Sequence, residues 1–192
     1  MCKNPSPGLL PTCAASRASS ACWRLVRKTR EARAMWIVVG TQTLGALEVA
    51  ERLQGCLGRL GCSSRLVFAE AVGPAELARE ERAVFCLSTW RWVLRPKEPA
   101  DLLPQGAAWL YERLCRERPD LSRLRYAVCA LGERAYGPYF CKAGSIYTQL
   151  LGWLGARPLQ GRLELASPVD GWEELGDWAV ALAANLGQGV RP

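Results

Sequence analysis

The sequence predicts an α/β protein with a parallel β-sheet that carries helices on both faces. Short apolar runs and amphipathic helical patterns alternate five times along the chain. The apolar run at residues 83–87 is continuous, as expected of a central parallel strand that is buried on both faces, and residues 124–131, with Arg125 as the one charged residue, form a second run of this kind. A third run, residues 36–40, leads through a short polar loop directly into an amphipathic pattern, which indicates a strand–loop–helix unit.

The remaining elements can be predicted in chain order. The first helix should end near Leu60, because Gly61 follows it. A second strand is expected at 64–68, and Pro74 should begin a minor helix that ends near Glu80. The later predictions are a strand at 83–87, a helix at 104–116, a strand at 124–131, a helix from about 139 to 154, a strand at 157–165 and a closing helix at 172–186.

Most of the net charge belongs to the first 34 residues. The chain has 192 residues and a net charge of +7, of which residues 1–34 carry +6 and residues 35–192 only +1. A nearly neutral domain argues against nucleic acid as a partner. We predict one domain at 35–192, preceded at 1–34 by a basic disordered leader or an upstream extension, since Met35 stands directly before the first strand. A transit peptide is the alternative for the leader.

The cysteine and histidine contents narrow the chemistry. Nine cysteines form an odd set without C-x-x-C spacing, so we expect buried free thiols in a reducing compartment and neither a disulfide framework nor a zinc site. Histidine is absent, which excludes Ser-His-Asp and Cys-His catalysis, so a catalytic function would rest on a cofactor. No stretch reaches the length of a membrane span. We predict a cytoplasmic protein, with organelle targeting by residues 1–34 as the alternative.

The loop after the first strand contains the elements of an anion site. Thr41 and Thr43 supply hydroxyl groups, and the helix that follows supplies free backbone amides and the positive end of its dipole. A phosphate group is the natural ligand of such a loop. An ordinary strand-to-helix turn is the alternative, because short glycine-containing motifs match by chance.

This first loop resembles the phosphate-binding loop of flavodoxin-like proteins, in which a strand runs into Gly-Ser/Thr-Gln-Thr-Gly-Thr-Ala-Glu and then a helix. The matching residues are Gly40, Thr41, Gln42, Thr43 and Ala46. Leu44 stands where the family has glycine, and Leu47 stands where it has glutamate. We expect Gly45 to supply the tight turn one position later.

The second loop, residues 88–101, resembles the family's Ser-Thr-aromatic-Gly-Asp-Gly segment in its opening Ser88-Thr89-Trp90 and in its later prolines. The Gly-Asp-Gly core, which in the family lets the backbone lie close to a flavin ring, is replaced by Arg91-Trp92-Val93. Trp90 and Trp92 are therefore candidates to stack on the ring. Their alternative role is packing of the loop or of a partner protein.

The third loop, residues 131–141, gives the strongest match. It resembles Leu-Gly-Asp-Ser-x-Tyr-x-x-Phe-Cys, the flavin-ring loop of flavodoxins, and the residues in register are Leu131, Gly132, Tyr136, Phe140 and Cys141. The resemblance implies that Tyr136 stacks on the ring, whereas packing in the core is the alternative for Phe140. Residues 118–128 also resemble the MioC branch of small flavodoxins.

The resemblance covers residues 36 to about 186 and implies a five-stranded sheet of order 2-1-3-4-5. It implies FMN as the cofactor and the shuttling of electrons between a reductase and an acceptor enzyme, without a catalytic or metal-binding residue. The implied cofactor-binding residues are Thr41, Gln42, Thr43, Gly45, Ala46, Ser88, Thr89, Trp90, Leu131, Gly132, Tyr136, Phe140 and Cys141.

Two alternative functions remain open at this point. A flavodoxin-fold scaffold without flavin is suggested by Leu44 and by Arg91-Trp92-Val93, which remove glycines from two loops. A single-domain NAD(P)H-dependent flavin oxidoreductase is the other. The function that the resemblance implies is an electron carrier rather than a stand-alone enzyme. Its expected partners are redox proteins, and no insertion into a membrane is expected.

Overall fold

The computed structural model describes residues 34–90, 96–166 and 171–187. The strands are β1 (Met35–Gly40), β2 (Ser64–Phe68), β3 (Arg82–Ser88), β4 (Arg125–Leu131), β5 (Arg157–Pro158) and β6 (Leu163–Leu165). The helices are α1 (Gly45–Arg59), α2 (Pro74–Leu77), α3 (Gln105–Glu117), α4 (Lys142–Trp153) and α5 (Trp172–Gly187). Short 3-10 turns lie at Ala69–Ala71, Pro99–Leu102 and Arg134–Tyr139.

The strands form a parallel sheet of order β2-β1-β3-β4-β5, which confirms the predicted fold class. The predicted last strand is wrong in one respect, because it consists of two pieces that both pair with β4. Four residues, 159–162, separate these pieces where β4 advances by only two residues, 127–128. Pro158 has no amide hydrogen and Gly161 favours strands poorly, which explains the interruption.

Two helices differ from the predicted bounds. α4 begins at Lys142 rather than near residue 139, because Gly137 (φ 56°) and Cys141 (φ 49°) hold left-handed backbone conformations that a helix does not contain. α2 ends at Leu77 rather than near Glu80. Two of the residues that follow it make backbone hydrogen bonds to carbonyls three residues earlier, as in a 3-10 turn.

The hydrophobic core lies on both faces of the sheet. In β1, Trp36 and Val38 pack toward α3 and α4, whereas Met35, Ile37 and Val39 pack toward α1 and α5. This follows from the alternation of side chains along a strand, and burial on both faces explains the continuous apolar runs of the sequence. Among the described residues, no helix is long and apolar enough to cross a membrane.

Candidate functional site

The three loops predicted from the sequence meet at the carboxyl edge of the sheet. Gly40 lies beside Leu87, and Ser88 lies beside Leu131, so β1, β3 and β4 end at the same level. The Ser88 hydroxyl donates to the Gly40 carbonyl at 3.4 Å, and the Thr89 amide donates to the Leu131 carbonyl at 2.7 Å. Hydrogen bonds therefore fix the starting points of the three loops relative to one another.

The first loop turns at Leu44, which has φ 63° and ψ −9° in the left-handed region. The expectation that Gly45 supplies the turn is wrong, because Gly45 is already the first residue of α1. A non-glycine residue in this conformation costs about 1–2 kcal/mol. The chain thus keeps the left-handed turn at the position where the family pattern has glycine, and it bears this cost at Leu44.

The beginning of α1 offers free amide groups. The first helical hydrogen bonds run from the Leu47 and Glu48 amides to the Leu44 carbonyl, at 2.9 and 3.0 Å. The amides of Gly45 and Ala46 precede these bonds, so they add to the positive end of the helix dipole. Both residues belong to the predicted site, and their backbone atoms can hold an anion.

Thr41 supplies the side-chain evidence for this site. Its Oγ1 atom is buried and has no hydrogen-bond partner; among the described residues, only the Ser64 hydroxyl shares this condition. A buried hydroxyl without a partner loses hydrogen-bonding free energy, unless a ligand supplies the acceptor. Thr43 lies two residues further along the same loop and is exposed. Residues 41–46 therefore fit a phosphate group.

Gln42 makes a contact within the protein, and its predicted contact with a cofactor stays a prediction. Its side-chain oxygen accepts a hydrogen bond from the Gln105 amide at 3.4 Å, so it caps the first turn of α3. The side-chain NH₂ group of Gln42 remains available as a donor toward the loop. Gln42 thus connects the phosphate-type loop to the neighbouring helix.

The second loop is held by Thr89, whose side chain is only 4% exposed. Its hydroxyl accepts a hydrogen bond from the Ala143 amide at 3.1 Å, in the first turn of α4. Trp90 is half-buried, and its amide donates to the Leu102 carbonyl at 3.0 Å. Thr89 therefore positions the loop rather than presenting its oxygen to solvent. The replacement segment, residues 91–95 with Trp92, lies outside the described residues.

Gly132 and Cys141 pack against each other at the two ends of the third loop. A Cβ atom on Gly132 would lie 2.5 Å from the Cys141 backbone nitrogen, so only glycine fits there. The Cys141 thiol is buried and contacts the Ala130 and Leu165 carbonyls at 3.3 and 3.6 Å. Burial, together with the nearby negative charge of Glu164, raises the pKa of this thiol to about 12. The Cys141 thiol therefore faces backbone carbonyls, and its predicted contact with a cofactor stays a prediction.

Tyr136 and Phe140 present aromatic surface on the same loop. Both side chains are half-buried, and the Tyr136 amide donates to the Glu133 carbonyl at 2.9 Å. The Arg134 guanidinium lies 5.1 Å from the centre of the Phe140 ring. Phe140 is thus not enclosed in the core, and an arginine covers part of its ring.

Several residues that hold the site carry no signal in the sequence. Ala143, Leu102 and Leu165 act through backbone atoms, which any residue type supplies. Gln105 is recognisable only as the first residue of a helix. The sequence therefore predicts the loops but not the contacts between them.

The sequence model of the flavodoxin family matches residues 37–175 of this chain. Flavodoxin YqcA of Pectobacterium carotovorum subsp. carotovorum is 32% identical over 129 residues, which cover 67% of this chain and 80% of that protein. The sulfite reductase (NADPH) flavoprotein alpha-component of Vibrio cholerae is 31% identical over 129 residues, which cover 67% of this chain. The chain spans about a fifth of the length of that flavoprotein, matching 20% of it.

Solved structures of flavodoxins share the fold. A short-chain flavodoxin associated with a non-canonical PDU bacterial microcompartment has a TM-score of 0.66 and 20% identity, covering 79% of this chain and 97% of that one. Oxidised flavodoxin 2 from Bacillus cereus has a TM-score of 0.66 and 22% identity, covering 79% and 98%. Flavodoxins bind FMN, which confirms the predicted cofactor. The match over residues 37–175, together with the three loops at one edge of a 2-1-3-4-5 sheet, shows that this chain belongs to the flavodoxin family.

Proposed function

We propose that this protein carries electrons between a reductase and an acceptor enzyme through FMN bound at the carboxyl edge of the sheet. The buried Thr41 hydroxyl without a partner, beside the first amides of α1, is the observation that carries the proposal. Membership of the flavodoxin family supports it, since an electron-carrying flavoprotein is typical of that family. The finer resemblance to the MioC branch remains part of the proposal.

The residues of the site divide into three groups. Thr41, Thr43 and the amides of Gly45 and Ala46 would hold the phosphate of FMN. The ring would lie between the second and third loops, where Trp90 and Tyr136 exclude water. When bound, the flavin supplies one- or two-electron transfer, and the protein sets its surroundings. The remaining predicted residues position these loops, and they are Gln42, Ser88, Thr89, Leu131, Gly132, Phe140 and Cys141.

The partners and the compartment are proposals of the same kind. Redox proteins are the expected partners, and the cytoplasm is the proposed location. Residues 1–33 lie outside the described residues. The basic leader or upstream extension at 1–34 therefore stays a prediction.

A flavin-less scaffold is the second candidate, and Leu44 is the observation that favours it. Its side chain is 64% exposed at the tip of the loop that would hold the phosphate. A bulky residue there narrows the approach to the amides of α1. An affinity measurement for FMN separates the two candidates.

The test is a titration of the full chain with FMN, followed by flavin fluorescence and by the absorbance retained after desalting. We expect saturable quenching, and we expect Thr41→Val to weaken binding about tenfold or more, because a hydrogen bond to a charged group contributes about 1.5–3 kcal/mol. Thr148→Val is the matched control, since the Thr148 hydroxyl donates within α4 to the Gly144 carbonyl at 2.8 Å. It should leave the affinity for FMN unchanged.

Three results would change the proposal. A folded but colourless protein without quenching would favour the scaffold. Steady-state oxidation of NADPH by the purified protein would instead establish a single-domain oxidoreductase. Equal losses of affinity in Thr41→Val and Thr148→Val would remove Thr41 from the site.

A further inference from the structure

Three arginines form a row across the amino-terminal edge of the sheet, at the end opposite the proposed FMN site. Arg82 pairs in register with Arg125, and Arg125 pairs in register with Arg157, on three adjacent parallel strands. Neighbouring strands lie about 4.8 Å apart, so the three Cα atoms span about 10 Å. We call Arg82, Arg125 and Arg157 the arginine row.

The arginine row lies on the α1 and α5 face of the sheet. Along β3 and β4 the next residues inward on the same face are Val84 and Ala127, which pack in the cluster formed with α1 and α5. In-register residues of parallel strands share a face, so Arg157 lies on this face too. Arg82 and Arg125 are half-buried, and Arg157 is exposed.

The described residues supply no carboxylate that pairs with the arginine row. The ion pairs found among residues 34–90, 96–166 and 171–187 involve other arginines, and the neighbouring Glu81 carboxylate lies 3.8 Å from Arg123 instead. Like charges placed directly opposite one another in a sheet are destabilising. The row therefore carries repulsion that a bound anion would relieve.

The two helices that cover this face have no carboxylate at this end. Their acidic residues lie in their first halves, toward the carboxyl edge of the sheet, and are Glu48, Glu51, Glu173, Glu174 and Asp177. The second half of α5, residues 178–187, has no charged side chain, and the last residue of α1 is Arg59. The face is therefore acidic at one end and basic at the other.

We propose that the arginine row binds a multivalent phosphate group, either free or carried by a small metabolite. Each guanidinium is a planar fork that matches two oxygens of a phosphate, and it stays charged at any physiological pH. Neighbouring forks at the spacing of adjacent strands fit the linked phosphates of a diphosphate, whereas a monovalent ion meets only one of them. This site is distinct from the phosphate-type loop at residues 41–46, which lies at the other edge of the sheet.

The test is isothermal titration of the full chain, saturated with FMN, with inorganic pyrophosphate at constant ionic strength. We expect saturable binding with one site per chain, weakened at least tenfold by Arg125→Gln. Arg82→Gln and Arg157→Gln should each weaken it by a smaller factor, because each leaves two adjacent guanidinium groups. Arg125→Lys should also lose affinity, since it keeps the charge but not the fork.

Arg116→Gln is the matched control, because it removes the same charge from the exposed surface of α3, on the other face of the sheet. It should bind pyrophosphate as the parent protein does. Tighter binding of ADP than of pyrophosphate would support the proposal and identify a carried phosphate as the ligand. Equal weakening by Arg116→Gln and Arg125→Gln would overturn it as a general charge effect. Loss of binding in Thr41→Val, or absence of binding in the parent, would overturn it too.

Discussion

Leu44 holds a left-handed backbone conformation at the residue where α1 begins. Its side chain is 64% exposed, so burial returns little of the cost of this conformation. Its carbonyl accepts the first two helical hydrogen bonds of α1, so the conformation cannot relax without loss of that first turn. Leu44 is therefore a position where the geometry of the loop outweighs the preference of the residue.

Leu44→Gly should raise the free energy of unfolding by about 0.5–1 kcal/mol. The substitution removes a strain of about 1–2 kcal/mol, and the greater freedom of glycine in the unfolded chain offsets about 0.5–1 kcal/mol of this gain. Urea unfolding followed by circular dichroism measures the change.

Leu60→Gly is the matched control for this substitution. Leu60 is 44% exposed at the other end of α1, with an ordinary φ of −86°. Glycine there should be neutral or destabilising, because no strain is relieved. If Leu44→Gly is as destabilising as Leu60→Gly, the strain at Leu44 does not exist.

Single residues of the site are predictable where their side chains carry the chemistry. The hydroxyl of Thr41 and its place after a strand predict a phosphate contact, and its buried Oγ1 without a partner is consistent with that prediction. The left-handed turn at Leu44 is not predictable in this way, because glycine is the residue expected at a positive φ and Gly45 is the nearest glycine. Cys141 matched a family pattern by letter, but its role depends on the two carbonyls that enclose its thiol.

The hydrogen bond between Thr89 and Ala143 joins two elements of the site. It satisfies an amide in the first turn of α4, and the residue before that helix, Cys141, provides no side-chain cap. Thr89 thus acts as a cap supplied from a distant strand. The loop after β3 and the loop after β4 are fixed to each other by this contact.

Thr89→Val should lower the free energy of unfolding by about 1–2 kcal/mol, because it leaves a buried amide without its acceptor and keeps the shape of the side chain. Chemical unfolding followed by tryptophan fluorescence measures this loss. Thr89→Ser keeps the hydroxyl, and it should lose less stability than Thr89→Val. A larger loss in the serine variant would show that the methyl group, not the hydrogen bond, stabilises this contact.

The bounds of an element are predicted well where one hydrophobic pattern extends over the whole element. β3 and β4 are buried on both faces, so their apolar runs are unbroken and their bounds come close to the prediction. The interruption between β5 and β6 depends on how residues 159–162 pair with β4, and pairing is a property of two strands. The late beginning of α4 depends on two positive φ angles, which periodicity does not report.

Several groups that lose a proton at high pH are buried in the core. Burial raises the pKa of Tyr147, whose hydroxyl donates to the Ala107 carbonyl at 2.7 Å. A hydrogen bond with Cys86 is the main cause, and burial the second, that raises the pKa of Cys129 well above its usual value. Burial likewise raises the pKa of Cys141 to about 12. The folded protein therefore keeps protons that the unfolded chain releases.

The free energy of unfolding should fall as the pH rises above about 9. A group whose pKa is higher in the folded protein makes its full contribution to the free energy of unfolding at pH values below its unfolded pKa. This contribution is lost as the pH rises from the unfolded to the folded pKa. The unfolded values are 9.0 for the thiols and 10.0 for the tyrosine. Each group should add a slope approaching 1.4 kcal/mol per pH unit in its own window.

Urea unfolding at intervals from pH 7 to pH 11 measures this dependence. Tyr147→Phe should reduce the slope above pH 10, although it also loses the hydrogen bond to Ala107 and so begins from a lower stability at pH 7. A stability that stays constant between pH 9 and pH 11 would contradict the assignment of these groups as buried and protonated.

The family was predictable for the molecule as a whole, because three loops match in the right order at the ends of the right strands. The arginine row was not, since Arg82, Arg125 and Arg157 are far apart in sequence. Only the register of three strands brings them side by side. Sites made by side chains within one loop are visible in a sequence, and sites made across a sheet are not.

Charged side chains are separated along the α1 and α5 face, with carboxylates near the carboxyl edge of the sheet and three arginines at the other edge. On a negatively charged electrode, the end with Arg82, Arg125 and Arg157 would settle against the surface. The carboxyl edge with Thr41 would then face away from the metal, across the length of the sheet. Electron exchange with the electrode would consequently be slow, and a positively charged coating would turn the molecule over and accelerate it.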